Sequence, residues 1–413
     1  MNTYLHIIYY FLQTFALVVL GLPTLYLLFF AVAGKFYRRP VSTNETASRR
    51  IAVLIPAYKE DGVIVDVAKD ALLQDYPPDR FEVIIIADSL RPQTIDRLKD
   101  LPVTVIEVMF DNSTKSKALN RAMEQLDDSY DIAVILDADN LMSRDFLKKI
   151  NRAFHGGFSA VQGHRTARNL DTSLAVLDAI SEEINNHIFR KGHRATGLSS
   201  AIIGSGMAFR YRYFREIMSG IQAIGGFDKE IELTMLQEGQ KIEYIDDAYV
   251  YDEKISKSDA FTNQRRRWLS AQFLYFRRDF WSCVKALIRY GNIDYFNKAL
   301  QFILPPRILL LGLVLLSCTL FSLINLSITG ELFFNWLWFG LGAMCVLTFI
   351  LSVPSSFYSS RTMKALGSIP KGMFLMLKSL LSMKGANRQF LHTEHHSAGT
   401  KLFIVPLTKQ NKK

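Results

Sequence analysis

The stretch Ile132-Ala-Val-Ile-Leu-Asp137-Ala-Asp139 decides the fold, because five apolar residues run directly into two carboxylates. A short, continuous apolar run bounded by polar residues is typical of a strand buried on both faces. Three runs upstream share this character, at 51–55, 81–87 and 103–108. Helical patterns separate the runs, and strands that alternate with helices predict an α/β fold, a mainly parallel sheet with helices on both faces.

The carboxyl ends of these strands carry candidate chemistry. Ligands of such sheets bind beyond the carboxyl ends of the strands, and Pro56, Asp88 and Asp137 each stand at one of them. Paired carboxylates such as Asp137 and Asp139 are hard ligands, and Mg²⁺ or Mn²⁺ takes one or two of them together with substrate phosphates. Acidic residues at strand ends also serve as caps and in turns, so this pair alone does not establish a metal site.

The composition narrows the class of protein. Of 413 residues, 49% are hydrophobic, and the formal net charge is +10. The basic residues cluster beside apolar stretches, which favours anionic lipid headgroups and a negatively charged substrate over nucleic acid as partners. The three cysteines comprise Cys318 and Cys345 in apolar stretches and an isolated Cys283, so they indicate no disulfide framework or metal knuckle.

Three apolar stretches are long enough to cross a bilayer, which takes about 20 helical residues. Lys and Arg follow the first and the third, whereas the loop between the second and third carries Glu331 and neither base. Because basic residues collect on the cytoplasmic side, we expect a multi-pass protein of the cell membrane (inner or plasma membrane) with its central domain and C-terminal part in the cytoplasm.

The predicted organisation has six parts. An amphipathic, aromatic and basic segment after the central domain suits a helix in the membrane interface, although a helix packed on the domain would look the same. The parts are a transmembrane helix at 1–34, a cytoplasmic domain at 50–280, an interfacial helix at 281–301, transmembrane helices at 302–329 and 332–356, and a basic cytoplasmic tail with a second interfacial helix at 361–413.

The segment Gln264-Arg-Arg-Arg267-Trp268 precedes the second apolar stretch. A positive-inside anchor would explain its arginines. Together with Asp88 and the Asp-x-Asp motif, however, it resembles the Gln-x-x-Arg-Trp signature of the membrane-integrated family 2 glycosyltransferases, which include cellulose, chitin and hyaluronan synthases. The resemblance extends along nearly the whole chain and implies a GT-A domain that moves a sugar from a nucleotide sugar, with UDP as the expected nucleotide.

The resemblance also implies a donor site. Its expected nucleotide-binding residues are Ala57, Glu60, Asp88, Lys117 and Asp137. Lys115 is the alternative to Lys117, and a carboxylate at the position of Glu60 would also suit a helix N-terminus. Asp139 is the expected ligand of Mg²⁺ or Mn²⁺.

Inverting transfer needs a carboxylate that takes the proton of the acceptor hydroxyl. The family places this base about eleven residues before a glycine, and counting back from Gly239 gives Asp228. The acidic residue that usually precedes it is Phe227 here, so Glu230 and Glu232 stay as alternatives. A helix N-cap would explain Asp228 without catalysis.

The resemblance assigns the remaining site residues to the acceptor and the diphosphate. Arg265 to Arg267 would face the diphosphate, and Trp268 would lie under the acceptor sugar. Gln264 belongs to the same set of acceptor and diphosphate residues. A gating-like loop would comprise Phe390, Thr393 and His395, in which His395 meets phosphate only when protonated. A metal site of His392, His395 and His396 is the rival interpretation of that segment.

Three functions follow for comparison. The leading expectation is a processive polysaccharide synthase. Because three spans are few for a channel, a secretion partner or a homo-oligomer would complete the pore. The second is a single addition to a lipid-linked acceptor, with the spans holding the domain at the bilayer. The third, a non-enzymatic membrane protein, conflicts with the joint presence of Asp88, Asp137, Asp139 and Trp268.

Overall fold

The computed structural model describes residues 3–38, 47–221, 223, 225–330 and 332–383. The strands form one sheet, and the four runs predicted from the sequence are its first four strands. The strands are β1 (Ile51–Tyr58), β2 (Phe81–Asp88), β3 (Thr104–Val108), β4 (Ile132–Ile135), β5 (Leu141–Met142), β6 (Ala160–Ala167), β7 (Met207–Arg210) and β8 (Ile242–Asp252).

The strand order is β3-β2-β1-β4-β7-β6-β8-β5. The pairs β1–β2, β2–β3, β1–β4 and β6–β8 are parallel, whereas β7 is antiparallel to both of its neighbours and β5 is antiparallel to β8. The prediction of a mainly parallel sheet is therefore confirmed, with β7 and β5 as the reversed strands. Residues 51–55 and 132–136 are fully buried, as continuous apolar strands of a covered sheet should be.

Helices cover both faces of the sheet. One hydrophobic cluster joins it to α2, α3 and α5, and a second cluster on the other face joins it to α4, α8 and α9. The helices of this domain are α2 (Ile64–Ala71), α3 (Pro92–Lys99), α4 (Lys115–Gln125), α5 (Phe146–Ala153), α6 (Ser173–Asn185), α7 (His193–Ala195), α8 (Tyr211–Gly220) and α9 (Phe227–Gln237).

Helix α1 (Thr3–Gly34) precedes the domain and packs against the π-helical turn Asn186–Gly192 that joins α6 to α7. Gly192 makes this close approach possible, since a Cβ atom at that position would lie 2.3 Å from the carbonyl oxygen of Phe30. Helix α1 therefore packs directly against the domain at this turn.

Six α-helices follow the sheet in the part of the chain that the structure describes. The first of these helices runs without a break across the predicted domain boundary at residue 280. The segment 281–301, which was expected to be one interfacial helix, is the end of this helix and the start of the next. The two helices are divided at Gly291, whose φ is 64°. These helices are α10 (Ser258–Tyr290), α11 (Ile293–Ile303), α12 (Arg307–Ile324), α13 (Phe333–Ser352), α14 (Ser360–Leu366) and α15 (Ile369–Leu381).

Among the described residues, three helices are long and apolar enough to cross a membrane, and they match the three predicted stretches: Tyr4–Gly34, Arg307–Ser327 and Phe333–Ser352. They pack on one another through a shared hydrophobic cluster. Polar side chains reinforce the bundle, because Oε1 of Gln13 accepts hydrogen bonds from Nε1 of Trp338 at 3.1 Å and from Nδ2 of Asn325 at 2.9 Å. The second span begins only at Arg307 because Pro305 and Pro306 precede it.

Candidate functional site

A cavity of about 660 Å³ opens at the carboxyl ends of β1, β2 and β4. Its walls continue along α6 and α10 to the first residues of α12 and to α15. The cavity therefore connects the sheet edge to the end of the membrane-spanning bundle. Several predicted residues from distant parts of the chain meet in its lining: Ala57, Glu60, Asp88, Asp137, Asp139, Asp228, Gln264, Arg265, Arg267 and Trp268.

Three carboxylates form the centre of the site. Oxygen atoms of Asp137, Asp139 and Asp252 lie within 4.8 Å of one another, close enough to hold one metal ion. Asp139 is buried, and its Oδ2 accepts a hydrogen bond from the backbone N–H of Glu253 at 3.2 Å. A compact group of hard oxygen ligands fits Mg²⁺ or Mn²⁺.

Asp252 was not identified from the sequence. It ends β8, so it has the same strand-end position that singled out Asp88 and Asp137. The signal was present, but recognising it required the knowledge that β8 lies parallel to β6 and points its carboxyl end toward the same cleft.

Two buried cations hold Asp252 in its ionised form. Nζ of Lys254 lies 2.8 Å from Oδ2 of Asp252, and Nη1 of Arg165 lies 3.9 Å from Oδ1. Burial alone would raise the pKa of Asp252, but these two positive charges bring that pKa below its usual range. Arg165 also reaches Oδ2 of Asp137 at 4.0 Å. Asp252 therefore offers the cluster a carboxylate that is already deprotonated.

Of the two candidate lysines, Lys115 is the one that lines the cavity. Its Nζ lies 2.5 Å from Oδ1 of Asp137 and 2.7 Å from the carbonyl oxygen of Gly204. The preferred candidate, Lys117, instead donates to the carbonyl oxygen of Asn112 at 2.9 Å on the exposed side of α4. The cause is helix geometry: residues two positions apart do not share a face.

The loop after β1 forms the far wall of the cavity. Lys59 adopts a left-handed backbone conformation with φ of 56°, and its N–H donates to the carbonyl oxygen of Asp88 at 3.1 Å. This links the ends of β1 and β2. Glu60 and Asp88 are both buried beside the cavity, and Oδ1 of Asp88 accepts from Oγ of Ser89 at 3.0 Å.

The three candidate bases have different surroundings. Asp228 lies in the first turn of α9, lines the cavity, and its carboxylate has no hydrogen bond or ion pair within the described residues. Glu230 pairs with Nη1 of Arg278 at 2.6 Å, and buried Glu232 pairs with Nζ of Lys298 at 2.7 Å. Burial raises the pKa of Glu232. The carboxylate available to a ligand is therefore that of Asp228.

The Gln-Arg-Arg-Arg-Trp segment occupies the first half of α10. Arg265 forms an ion pair with Asp178, and its guanidinium carbon lies 4.4 Å from the ring centroid of Trp268. We expected Arg265 to face a diphosphate, but these contacts make it a support for the indole instead. Oε1 of Gln264 is buried without a hydrogen-bond partner among the described residues, and burial lowers the pKa of Arg267.

The gating-like residues Phe390, Thr393 and His395, and the rival metal site with His392 and His396, lie outside the described residues. Their roles stay predictions.

Comparison with known proteins gives a consistent family assignment. Residues 48–271 match the family model described as glycosyltransferase like family 2. A β-monoglucosyldiacylglycerol synthase of Synechocystis sp. is 23% identical over 274 residues, 62% of this chain and 55% of that protein. An N-acetylglucosaminyltransferase of Rhizobium meliloti is 22% identical over 287 residues, 64% of this chain and 67% of that protein.

A cellulose synthase catalytic subunit (UDP-forming) of Komagataeibacter sucrofermentans is 31% identical over 133 residues, 31% of this chain and 17% of that protein. The chain thus spans about half the length of the first of these relatives and less of the cellulose synthase. A mannosyltransferase from Pyrobaculum calidifontis, solved with GDP-Man and Mn²⁺, has a similar fold, with a TM-score of 0.52 and 16% identity over 82% of this chain and 97% of that one.

Proposed function

The chain belongs to glycosyltransferase family 2, and on this premise we propose that it transfers a sugar from a UDP-sugar to a hydroxyl group of a lipid-borne acceptor, with inversion at the anomeric carbon. The observation that carries this proposal is a continuous cavity that joins the strand-end carboxylates to residues of α1, α12 and α15. Transfer then takes place at the cytoplasmic surface of the cell membrane.

The donor end of the cavity suits a nucleotide diphosphate. Glu60 and Asp88 present carboxylates to the base and ribose at the ends of β1 and β2. Mg²⁺ or Mn²⁺ held by Asp137, Asp139 and Asp252 would neutralise the charge of the diphosphate as it leaves. Lys115 stands beside Asp137 and supplies a further cation to the same group.

Asp228 acts on the acceptor. Its carboxylate takes the proton of the acceptor hydroxyl while that oxygen forms a bond to the anomeric carbon. The bond from that carbon to the diphosphate oxygen breaks, and the nucleoside diphosphate departs with its electron pair. Because Glu230 and Glu232 are each bound to a cation, Asp228 is the member of the three that can accept this proton.

The acceptor end combines a flat apolar surface with an unsatisfied polar atom. Trp268 offers its indole ring to sugar or lipid C–H groups, and Arg265 holds that ring in place. The buried Oε1 of Gln264 would gain a hydrogen bond from an acceptor hydroxyl.

Two observations favour a lipid acceptor over a polymer that leaves through the membrane. The spans pack on one another, and no described residue of α13 lines the cavity. The cavity extends instead to the apolar residues Leu27 of α1, Ile308 of α12 and Met376 of α15. The relatives named β-monoglucosyldiacylglycerol synthases point in the same direction.

A processive polysaccharide synthase is the second candidate. Its support is the presence of Gln264, Arg267 and Trp268 on the cavity wall, together with the local similarity to a cellulose synthase subunit. Since α1, α12 and α13 close on one another, this function would require a secretion partner or a second copy of the chain to complete a channel.

A donor panel tests the proposed activity. Purified full-length protein in nanodiscs of bacterial lipid extract is incubated with individual nucleotide sugars and either Mg²⁺ or Mn²⁺. We expect release of nucleoside diphosphate from a UDP-sugar, with labelled sugar entering the organic phase, and we expect neither with Asp139→Asn. Release equal to that of Asp139→Asn from every nucleotide sugar would contradict the proposal.

A further inference from the structure

Arg307 occupies the membrane-side end of the cavity. It is the first residue of α12 and lines the cavity together with Ser181 and Asn185 of α6. Its Nη1 donates to Oδ1 of Asn185 at 2.7 Å, and its Nη2 donates to the carbonyl oxygen and to Oγ of Ser181, both at 3.1 Å. The guanidinium is therefore held in place entirely by neutral acceptors.

In this arrangement the positive charge of Arg307 has no ion-pair partner among the described residues, and not all of its N–H groups donate a hydrogen bond. An arginine has five N–H donors, and three hydrogen bonds to Arg307 are made. No carboxylate of the described residues forms an ion pair with it, whereas three other cations on the cavity wall do form one: Arg265 with Asp178, Arg190 with Glu182 at 3.5 Å, and Lys298 with Glu232 at 2.7 Å.

The carboxylate of Glu182 attracts Arg307 but forms no ion pair with it among the described residues. It already pairs with Arg165 at 2.9 Å, with Arg190 at 3.5 Å and with Lys254 at 3.7 Å. A cation removed from water without a counter-charge is costly, so an anion from outside the chain would stabilise this end of the cavity.

A topological anchor would not require this geometry. A positive-inside arginine extends toward the lipid headgroups, whereas the guanidinium of Arg307 turns toward α6 and lies 5.6 Å from the ring centroid of Phe189. Ionisable groups that face the interior at the edge of a membrane bundle commonly mark substrate sites. The first N–H groups of α12 add positive potential at the same place.

We propose that Arg307 binds the phosphate of an anionic lipid whose alkyl chain lies along Leu27, Ile308 and Met376. The inference rests on the proposed function and deepens it: the acceptor, or the lipid that carries it, is a phosphate ester. Arg307 contacts Ser181 and Asn185, whereas Asp137, Asp139 and Asp252 form the candidate metal cluster. This phosphate and the diphosphate of the donor would therefore have different ligands.

The test is equilibrium binding of radiolabelled dodecyl phosphate to full-length protein in neutral detergent. Dodecanol, inorganic phosphate and UDP with Mn²⁺ are measured as competitors or separate ligands. The wild type should bind dodecyl phosphate much more tightly than dodecanol or inorganic phosphate. Arg307→Gln should weaken dodecyl phosphate roughly ten- to hundredfold, as expected for charge-assisted hydrogen bonds. Arg307→Lys should recover part of this loss because it keeps the charge without the fork.

Arg289→Gln is the matched control, because Arg289 is an exposed arginine at the end of α10 and reports only on charge at the micelle surface. Binding of UDP with Mn²⁺ should be the same in all variants. The proposal fails if dodecanol or inorganic phosphate binds the wild type as well as dodecyl phosphate does, which needs no variant to fold. It also fails if Arg307→Gln retains full affinity or loses UDP to the same degree. A wild type that does not bind UDP would instead count against the proposed function.

Discussion

The ammonium nitrogen of Lys115 lies 2.5 Å from a carboxylate oxygen of Asp137. This contact joins the first turn of α4 to the end of β4 at the point where the proposed donor phosphates bind. The ammonium group has one hydrogen left for a phosphate oxygen, because two of its three are donated to Asp137 and to the carbonyl of Gly204, its hydrogen-bond partners in the described residues.

Replacement of this lysine should weaken donor binding. We expect Lys115→Ala to raise the Kd for UDP with Mn²⁺ by about tenfold, the effect of losing one charge-assisted contact. Lys117→Ala is the control, since Lys117 lies on the same helix but donates to Asn112. Isothermal titration of both variants checks this. A larger effect of Lys117→Ala than of Lys115→Ala would contradict the assignment.

The sequence alone could not decide between Lys115 and Lys117. The strand-end positions of Asp88, Asp137 and Asp139 could be predicted, because continuous apolar runs fix where buried strands stop. The sequence could not fix where α4 begins, and that start determines which lysine faces the cavity. Thr114 sets it in the structure by accepting the N–H of Lys117 at 3.2 Å.

Asp252 supplies the second prediction. If it shares a metal ion with Asp137 and Asp139, Asp252→Asn should weaken Mn²⁺ binding roughly ten- to hundredfold, measured by electron paramagnetic resonance of free Mn²⁺. The exposed carboxylate of Asp96 on α3 provides the control variant Asp96→Asn. Because Arg165 and Lys254 lose a partner in Asp252→Asn, binding is measured well below the thermal transition. Unchanged Mn²⁺ affinity would remove Asp252 from the site.

Asp228 supplies the third prediction. Asp228→Asn should bind UDP with Mn²⁺ as the wild type does while losing kcat by about 10²- to 10⁴-fold, because it keeps the shape of the site but cannot take a proton. Glu230→Gln should keep most activity, since Glu230 is bound to Arg278. Nucleoside diphosphate release measures both. An active Asp228→Asn beside an inactive Glu230→Gln would transfer the role of the base.

The fourth prediction concerns stability against pH. Burial of His193 lowers its pKa to about 4, and its Nδ1 lies 2.8 Å from the carbonyl oxygen of Ile188. The unfolded chain takes up a proton near pH 6.5, whereas the folded protein does not until about pH 4. The free energy of unfolding therefore falls as the pH drops between these two values, and the loss reaches about 3 kcal/mol near the lower one.

Thermal midpoints in detergent between pH 7.5 and pH 4 check this expectation. The midpoint of the wild type should fall across the window, and that of His193→Gln should start lower and fall less. The thermal midpoint of His193→Gln should still depend on pH, because burial also lowers the pKa of His187 to about 4. Equal slopes in the two proteins would show that His193 does not contribute.

The parts of the site that sequence could not supply depend on tertiary contacts. The Gln-Arg-Arg-Arg-Trp motif located α10 at the cavity, but the support of Trp268 by Arg265 depends on Asp178 of α6, which no local pattern marks. Likewise, the neutral surroundings of Arg307 come from Ser181 and Asn185, over a hundred residues earlier in the chain.

The size of the product tests the central claim most directly. Full-length protein in nanodiscs is supplied with its radiolabelled UDP-sugar, and the labelled material is followed over time by thin-layer chromatography and mass spectrometry of the lipid extract. The proposed single addition predicts a lipid-soluble product that carries one added sugar and does not lengthen with further incubation. A water-soluble product that grows with time would contradict it and would establish the polymer synthase instead.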